Sequence, residues 1–278
     1  MTAPRRSRQP GRLAIGIGMA CLALQAARAE DKPLWELGMG GGVLTLPHYR
    51  GSDQTNTWWL PVPYVIYRGD LFKADRDGAR ATLLDTERSE LNLSFAASAP
   101  TDSEDNRARQ GMADLSPTVE IGPAWNYTLA RGENHKLDFR WPLRSVFTVE
   151  SSPRHVGWVS SPHVNLDQTV GDWNVGLLAG PLFGDRRYHD YFYTVRAADA
   201  TVGRPAFRAG GGYEGWQATA ALSRQFGNWW MGMFMRYDEV AGHGVIDSPL
   251  VRDRHQFSAG VAFSWIFARS SRLVAQEP

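Results

Sequence analysis

Apolar and polar residues alternate with a period of two along twelve short segments of this chain, and nearly all of these segments end in turn chemistry. The clearest runs from Leu137 to Val149. Leu137, Phe139, Trp141, Leu143, Ser145, Phe147 and Val149 share one parity, while Lys136, Asp138, Arg140, Arg144 and Thr148 share the other. Successive side chains of a strand point to opposite faces, so one face is greasy and the other carries full charges. A soluble sheet would need a second layer over the greasy face, and no helical segment offers one. A transmembrane antiparallel β-barrel satisfies both faces, with lipid outside and a polar lumen inside. The fold expected is all-β, a barrel of about 12 strands within a range of roughly 10–14.

The strands fall at 34–46, 57–67, 70–76, 79–85, 89–99, 116–129, 136–149, 156–167, 172–183, 215–226, 229–238 and 255–267. Starting the first on the periplasmic side and alternating, the periplasmic links are 68–69, 86–88, 130–135, 168–171 and 227–228, all short. The outer links are 47–56, 77–78, 100–115, 150–155, 184–214 and 239–254, mostly long. Short turns inside and long loops outside are the asymmetry of outer-membrane barrels. All eleven tryptophans fall on these strands, many near strand ends, as aromatic belts at two membrane interfaces require. A soluble β-sandwich with tryptophan in its core is the competing architecture, and it does not account for that placement.

The N-terminus changes the picture of what is mature. Arg5, Arg6, Arg8 and Arg12 precede an apolar run from Leu13 to Leu24, and Ala27-Arg28-Ala29 offers small residues for a peptidase. Residues 1–29 read as a secretory signal peptide, with 30–278 as the barrel. The run is far short of the roughly 20 residues of a spanning helix. Cys21, the single cysteine, lies inside it with Gly18 three residues earlier, which argues against a lipoprotein signal. The five arginines of this segment taken from 30 basic residues leave 25 against 29 acids, a net charge of about −4. That excludes the basic field of a nucleic-acid-binding protein. Mean hydropathy is −0.36, as expected where every second strand residue is polar.

Candidate chemistry lies in the lumen and on the outer loops. Arg140 and Arg144 face the lumen near Glu120 on the preceding strand, and a turn at 130–135 that sets 120 opposite 144 would make Glu120 and Arg144 cross-strand neighbours. This cluster reads as a salt-bridge network filling a narrow barrel rather than a solute-selecting constriction. His48, His155, His189, His243 and His255 lie on or beside outer loops, but none are spaced as metal ligands, so no metal and no cofactor is expected. His189-Asp190 and the pair Ser161 and His163 invite a hydrolase reading that no further residue completes. Gly40-Gly41-Gly42 precedes no helix, so it reads as a bend in the first strand rather than a phosphate loop.

Several strings, in order along nearly the whole mature chain, resemble the MipA/OmpV family of Gram-negative outer-membrane proteins. They are VLTLPHYRGSDQ (43–54), LPVPYVIYRGD (60–70), ADRDGARATLLD (74–85), DNRARQGMADLSPTVEIGP (105–123), VGWVSSPHVN (156–165), GPLFGDRRYHDYFYTV (180–195), GRPAFRAGGGYEG (203–215) and DSPLVR (247–252). The resemblance implies a monomeric barrel in the outer membrane, in contact with lipid and lipopolysaccharide and without a catalytic motif. It implies a scaffold joining a periplasmic lytic transglycosylase to a bifunctional penicillin-binding protein. Other members of the family are surface antigens, adhesins or stress-responsive proteins. A narrow channel or solute-binding barrel is the alternative, and a barrel hydrolase a more distant one. Many barrels end on a C-terminal aromatic, whereas here Phe267 is followed by a tail from Ala268 to Pro278.

Overall fold

The computed structural model describes residues 32–69, 72–75 and 78–274, so the signal-peptide segment lies outside the described residues. In chain order the strands are β1 (Lys32–Pro33), β2 (Trp35–Pro47), β3 (Thr55–Arg68), β4 (Phe72–Asp75), β5 (Gly78–Asp85), β6 (Ser89–Ser98), β7 (Thr118–Arg131), β8 (His135–Thr148), β9 (His155–Ser160), β10 (His163–Val170), β11 (Trp173–Gly184), β12 (Gly212–Phe226), β13 (Trp229–Val240), β14 (His255–Arg269) and β15 (Leu273–Val274). One helix, α1 (Arg186–Tyr193), and a short 3-10 turn (Ala197–Asp199) lie between β11 and β12.

Strands β2 to β14 form one antiparallel sheet that closes on itself. β14 pairs with β2, and β8 pairs with both β9 and β10. Thirteen strands fill twelve positions, because β9 and β10 follow one another in the place between β8 and β11. Closure into a ring is the condition for a sheet to cross a bilayer; the joint is shortest at β4, which meets β3 only at Tyr67 and Arg68. The outward parity is apolar and exposed, as with Val119, Ile121, Trp125 and Leu129 on β7 and Phe257, Val261, Phe263, Trp265 and Phe267 on β14. Their inward neighbours Thr118, Gln256, Ser258 and Ser264 are buried. All eleven tryptophans sit on strands, as the alternation predicts.

Three features depart from the sequence reading. The eighth expected strand, 156–167, is broken at Ser161-Pro162 and resumes to Val170. Pro162 has no N–H for the ladder, and a side chain at Gly180 opposite would collide with its carbonyl. Second, the tail is not a free extension. β15 pairs antiparallel with β1, and Leu34 N–H bonds to the Arg272 carbonyl at 2.9 Å, so the two ends of the described residues form a ribbon at the short-turn end.

The third departure is at the long-loop end. Segments 48–54, 99–117, 185–211 and 241–254 are not open loops but pack into a cap with its own core. Tyr49, Leu115, Val195 and Leu250 form one buried cluster, flanked by Met112, Phe192 and Phe207. Tyr193, Ala209, Val240 and Val245 form another. A fully buried leucine such as Leu250 contributes about 1.5–3 kcal/mol relative to exposure. The helix α1 starts at Asp185, whose carboxylate accepts the Tyr188 N–H at 2.7 Å, a regular N-cap. Its Tyr188 and Tyr191 pack on Val146, Val156, Val159 and Leu182 of the inner wall, which seats the cap in the barrel mouth.

Candidate functional site: a bridged lumen and a buried latch

Of the three lumen residues singled out by sequence, Glu120 and Arg144 pair with each other and Arg140 pairs with other carboxylates, though not in the expected register. Glu120 lies opposite Val146, and Ile121 opposite Ser145, because the two strands stay paired into the expected turn, as far as Arg131 and Lys136, and β7 carries a bulge between Thr128 and Ala130. That extra residue shifts the pairing and places Gly122 across from the Arg144 backbone, where a side chain would meet the Leu143 carbonyl. Arg144 reaches Glu120 diagonally instead, with Nε 2.8 Å from Oε2, and extends to the hydroxyls of Ser94 at 3.3 Å and Ser161 at 3.4 Å. One guanidinium thereby ties β6, β7, β8 and the β9–β10 break.

Arg140 belongs to a separate group nearer the short turns. Its Nη2 lies 3.4 Å from Asp138 and 3.2 Å from Asp167, while Lys136 reaches Asp138 at 3.2 Å. Glu36, only 2 % exposed, gathers Arg68 at 2.8 Å, Arg269 at 3.3 Å and Gln225 at 3.3 Å from three other strands. Arg269 is thus committed to the barrel seam. Tyr64 and Trp230, three strands apart around the ring, meet here in a tilted contact with ring centroids 5.6 Å apart.

One fully buried charged residue was not singled out by sequence reasoning. Glu214, at the long-loop end of β12, is fully buried. It accepts the Tyr193 hydroxyl at 2.7 Å and faces His189 Nε2 at 3.4 Å and Arg50 Nε at 3.6 Å. Arg50 also holds Asp238 at 2.8 Å and donates to the Trp216 carbonyl at 2.6 Å, and Arg236 closes the group on Asp238. Side chains from α1, from the segment after β2 and from β12 and β13 therefore meet at one point under the cap. His189 and Tyr193 are four residues apart, which puts both on one helix face. Spacing within YHDYFYTV could have signalled this, had the segment been recognised as a helix.

Protonation follows from the surroundings. His189 Nδ1 donates to the Gly210 carbonyl at 2.6 Å, so a neutral ring would aim the lone pair of Nε2 at a carboxylate. Burial opposes the charged ring, but the hydrogen bond and charge of Glu214 outweigh it and raise the His189 pKa above its ordinary value. Burial likewise opposes charge on Arg50, and Glu214 with Asp238 more than restores it. Burial, reinforced by the charge of Glu214, pushes the Tyr188 and Tyr193 hydroxyls well above the usual phenol range, so both stay donors.

The other histidines do not converge. His48 is buried against Asn106 at 3.2 Å, His155 sits by Arg187, and His255 bonds the Tyr237 hydroxyl at 2.7 Å. Among the described residues no group of three or more His, Cys, Asp or Glu side chains could hold a metal ion. His189 and Asp190 do not form a dyad: Asp190 accepts from Thr194 Oγ1, and His189 turns inward to Glu214. Ser161 spends its hydroxyl on Arg144, while His163 Nδ1 bonds the Ser161 carbonyl.

A closed sheet with an apolar outside, a charged and bridged inside and one packed cap defines a membrane-spanning barrel of the outer-membrane type. The chain belongs to the family of MltA-interacting protein MipA, whose model matches residues 39–267. Among curated proteins no sequence relative matches. Solved structures with similarity include the CymD monoaromatic hydrocarbon channel, at 10 % identity over 86 % of this chain and 90 % of that one, with a TM-score of 0.39. Outer membrane phospholipase A from Escherichia coli is 10 % identical over 84 % of this chain and 93 % of its own, with a TM-score of 0.32. The Ralstonia pickettii toluene transporter TbuX is 8 % identical over 87 % and 71 %, with a TM-score of 0.22.

Proposed function

We propose that this chain is a non-enzymatic and non-conducting barrel of the Gram-negative outer membrane that anchors peptidoglycan-remodelling enzymes at its periplasmic end. The observation that carries the reading is the bridged interior. Ion pairs between neighbouring strands line the interior at the levels of Glu36, Arg140 and Arg144, and the cap is latched over the mouth through Glu214. A solute path would have to displace the cap held at Glu214 and pass the charges gathered on the wall below it. The short turns mark the periplasmic end by the usual asymmetry of such barrels, and the β1–β15 ribbon lies there. The partner favoured by the family description is a lytic transglycosylase, with a penicillin-binding synthase as a second enzyme in the same assembly.

The turns at that end are too short to offer the roughly 800 Å² per partner of a standard interface. The ribbon supplies additional surface, with Leu273 exposed beside Arg272 and Lys32. Deleting Ser270–Pro278 removes β15 but spares Arg269 and its bond to Glu36. The truncated barrel is expected to stay heat-modifiable and to lose at least tenfold in affinity for a purified lytic transglycosylase, read by surface-immobilised binding. Undiminished affinity would move the docking surface to the turns. No binding by the full-length barrel would remove the anchor reading.

A further inference from the structure

We propose that Arg186 and Arg187, with Arg154, which precedes the His155 that Arg187 touches, form a binding site for the phosphate groups of an outer-leaflet glycolipid. The site lies on the rim of the barrel, away from the latch and from the ribbon. Arg187 extends from α1 over the wall to His155, with Nη1 3.2 Å from Nδ1. His155 opens β9 and stands opposite Phe147 on the outward parity of β8. Its ring packs between Phe147, at 5.3 Å, and Trp158, at 5.9 Å. Trp158 and Phe183 are both exposed on the outside of the wall. The guanidinium of Arg187 is therefore held where the apolar band ends and the polar cap begins, which is the depth of lipid headgroups.

The charge at this place is available. Among the described residues neither Arg186 nor Arg187 has a carboxylate partner, and both are exposed. The nearby acids are already engaged: Asp185 caps α1, and Glu150 holds Arg154 at 3.0 Å. Arg154 remains 63 % exposed at its side chain and can turn a second edge of its fork outward. A guanidinium matches a phosphate bidentately, and arginine is the residue of choice where such recognition matters. Aromatic rings directly below offer flat faces for sugar and an apolar surface for acyl chains. A phosphorylated diglucosamine glycolipid presents all three parts in that vertical order. The occupant is thus fixed by the patch and by its height on the wall.

The assignment rests on the orientation argued under Proposed function, with the cap outside. The two are tested separately. Val202 stands at the tip of the cap, fully exposed. Val202→Cys should react with a membrane-impermeant maleimide on intact cells, and reaction only after permeabilisation would overturn the orientation. Binding is read on the folded full chain in detergent, by native mass spectrometry with lipid A, chemically dephosphorylated lipid A, phosphatidylglycerol and inorganic phosphate. The wild type should retain lipid A at least tenfold better than the dephosphorylated lipid. The Arg186→Ala/Arg187→Ala double variant should lose that advantage, whereas Arg196→Ala/Arg208→Ala should keep it. Equal retention of both lipids, retention unchanged in the double variant, or equal competition by phosphatidylglycerol or inorganic phosphate would each overturn the site.

Discussion

Replacing Glu214 by alanine should release the cap from the barrel and destabilise their junction by about 3–5 kcal/mol, the cost of removing one partner from a buried charged group. The residue is fully buried and serves three others at once. Its loss strands the Tyr193 hydroxyl, the His189 ring and one side of Arg50, all in surroundings that water does not reach. Glu214→Gln keeps an acceptor for Tyr193 and removes the charge, so its effect should be smaller. Limited proteolysis reads the difference. In the wild type, cleavage between 185 and 211 should be confined to the exposed turn around Val202, where the chain reverses between Thr201 and Arg204. In Glu214→Ala it should spread to α1 and the 205–211 stretch. Unchanged cleavage would mean that the apolar clusters alone hold the cap.

The same latch should depend on pH with a definite sign. The folded-state pKa of His189 is raised above its unfolded value. Its contribution to stability is therefore fully present below about pH 6.5 and is lost as pH rises through the folded pKa. Cap proteolysis should accelerate over that upward interval. His189→Asn should remove the dependence, since an amide can donate to the Gly210 carbonyl without titrating. Acceleration on acidification instead would contradict the protonation assigned to the ring.

The second large effect is expected at Arg144. Arg144→Ala leaves Glu120 facing the lumen without its cation, and Glu120→Ala leaves a guanidinium with hydroxyl partners only. Both side chains are mostly buried, at 16 % and 14 % exposure. A coupling energy of about 1.5–3 kcal/mol is expected from a double-mutant cycle, the range of a hydrogen bond to a charged group. Denaturant midpoints of the barrel refolded into vesicles provide the measurement, provided that the slope is unchanged. Additive single effects would show that the pair carries no net interaction, and the lumen would then be held by its apolar contacts.

Much of the barrel was legible because a two-residue period is a direct imprint of a wall with two solvents. The strand starting at Leu137 could only be read one way, and the outward parity of β14 is visible from Phe257 to Phe267. Register was less legible. The alternation marks neither the tighter turn, which pairs Arg131 with Lys136, nor the bulge between Thr128 and Ala130, so Arg144 was set opposite Glu120 when it in fact reaches it on the diagonal. The break at Ser161-Pro162 carried a signal in its proline that the surrounding alternation masked. The cap was not legible at all. Tyr49, Leu115, Val195 and Leu250 come from four separate segments without a shared period, and only tertiary packing makes them a core. Glu214 was missed for a related reason: its partners His189, Tyr193 and Arg50 lie far away in sequence. Among the three residues chosen for the lumen, charge on the inward parity was the correct signal, because an unpaired charge there is costly and each must find a counter-ion.

The central claim is that the folded barrel is shut, and planar-bilayer conductance of the purified full chain tests it most directly. At neutral pH and across both polarities, the reconstituted barrel is expected to show no stepwise current above the bare bilayer. Reproducible single-channel steps from the wild type would show an open path through the levels of Glu36, Arg140 and Arg144, and would contradict the account.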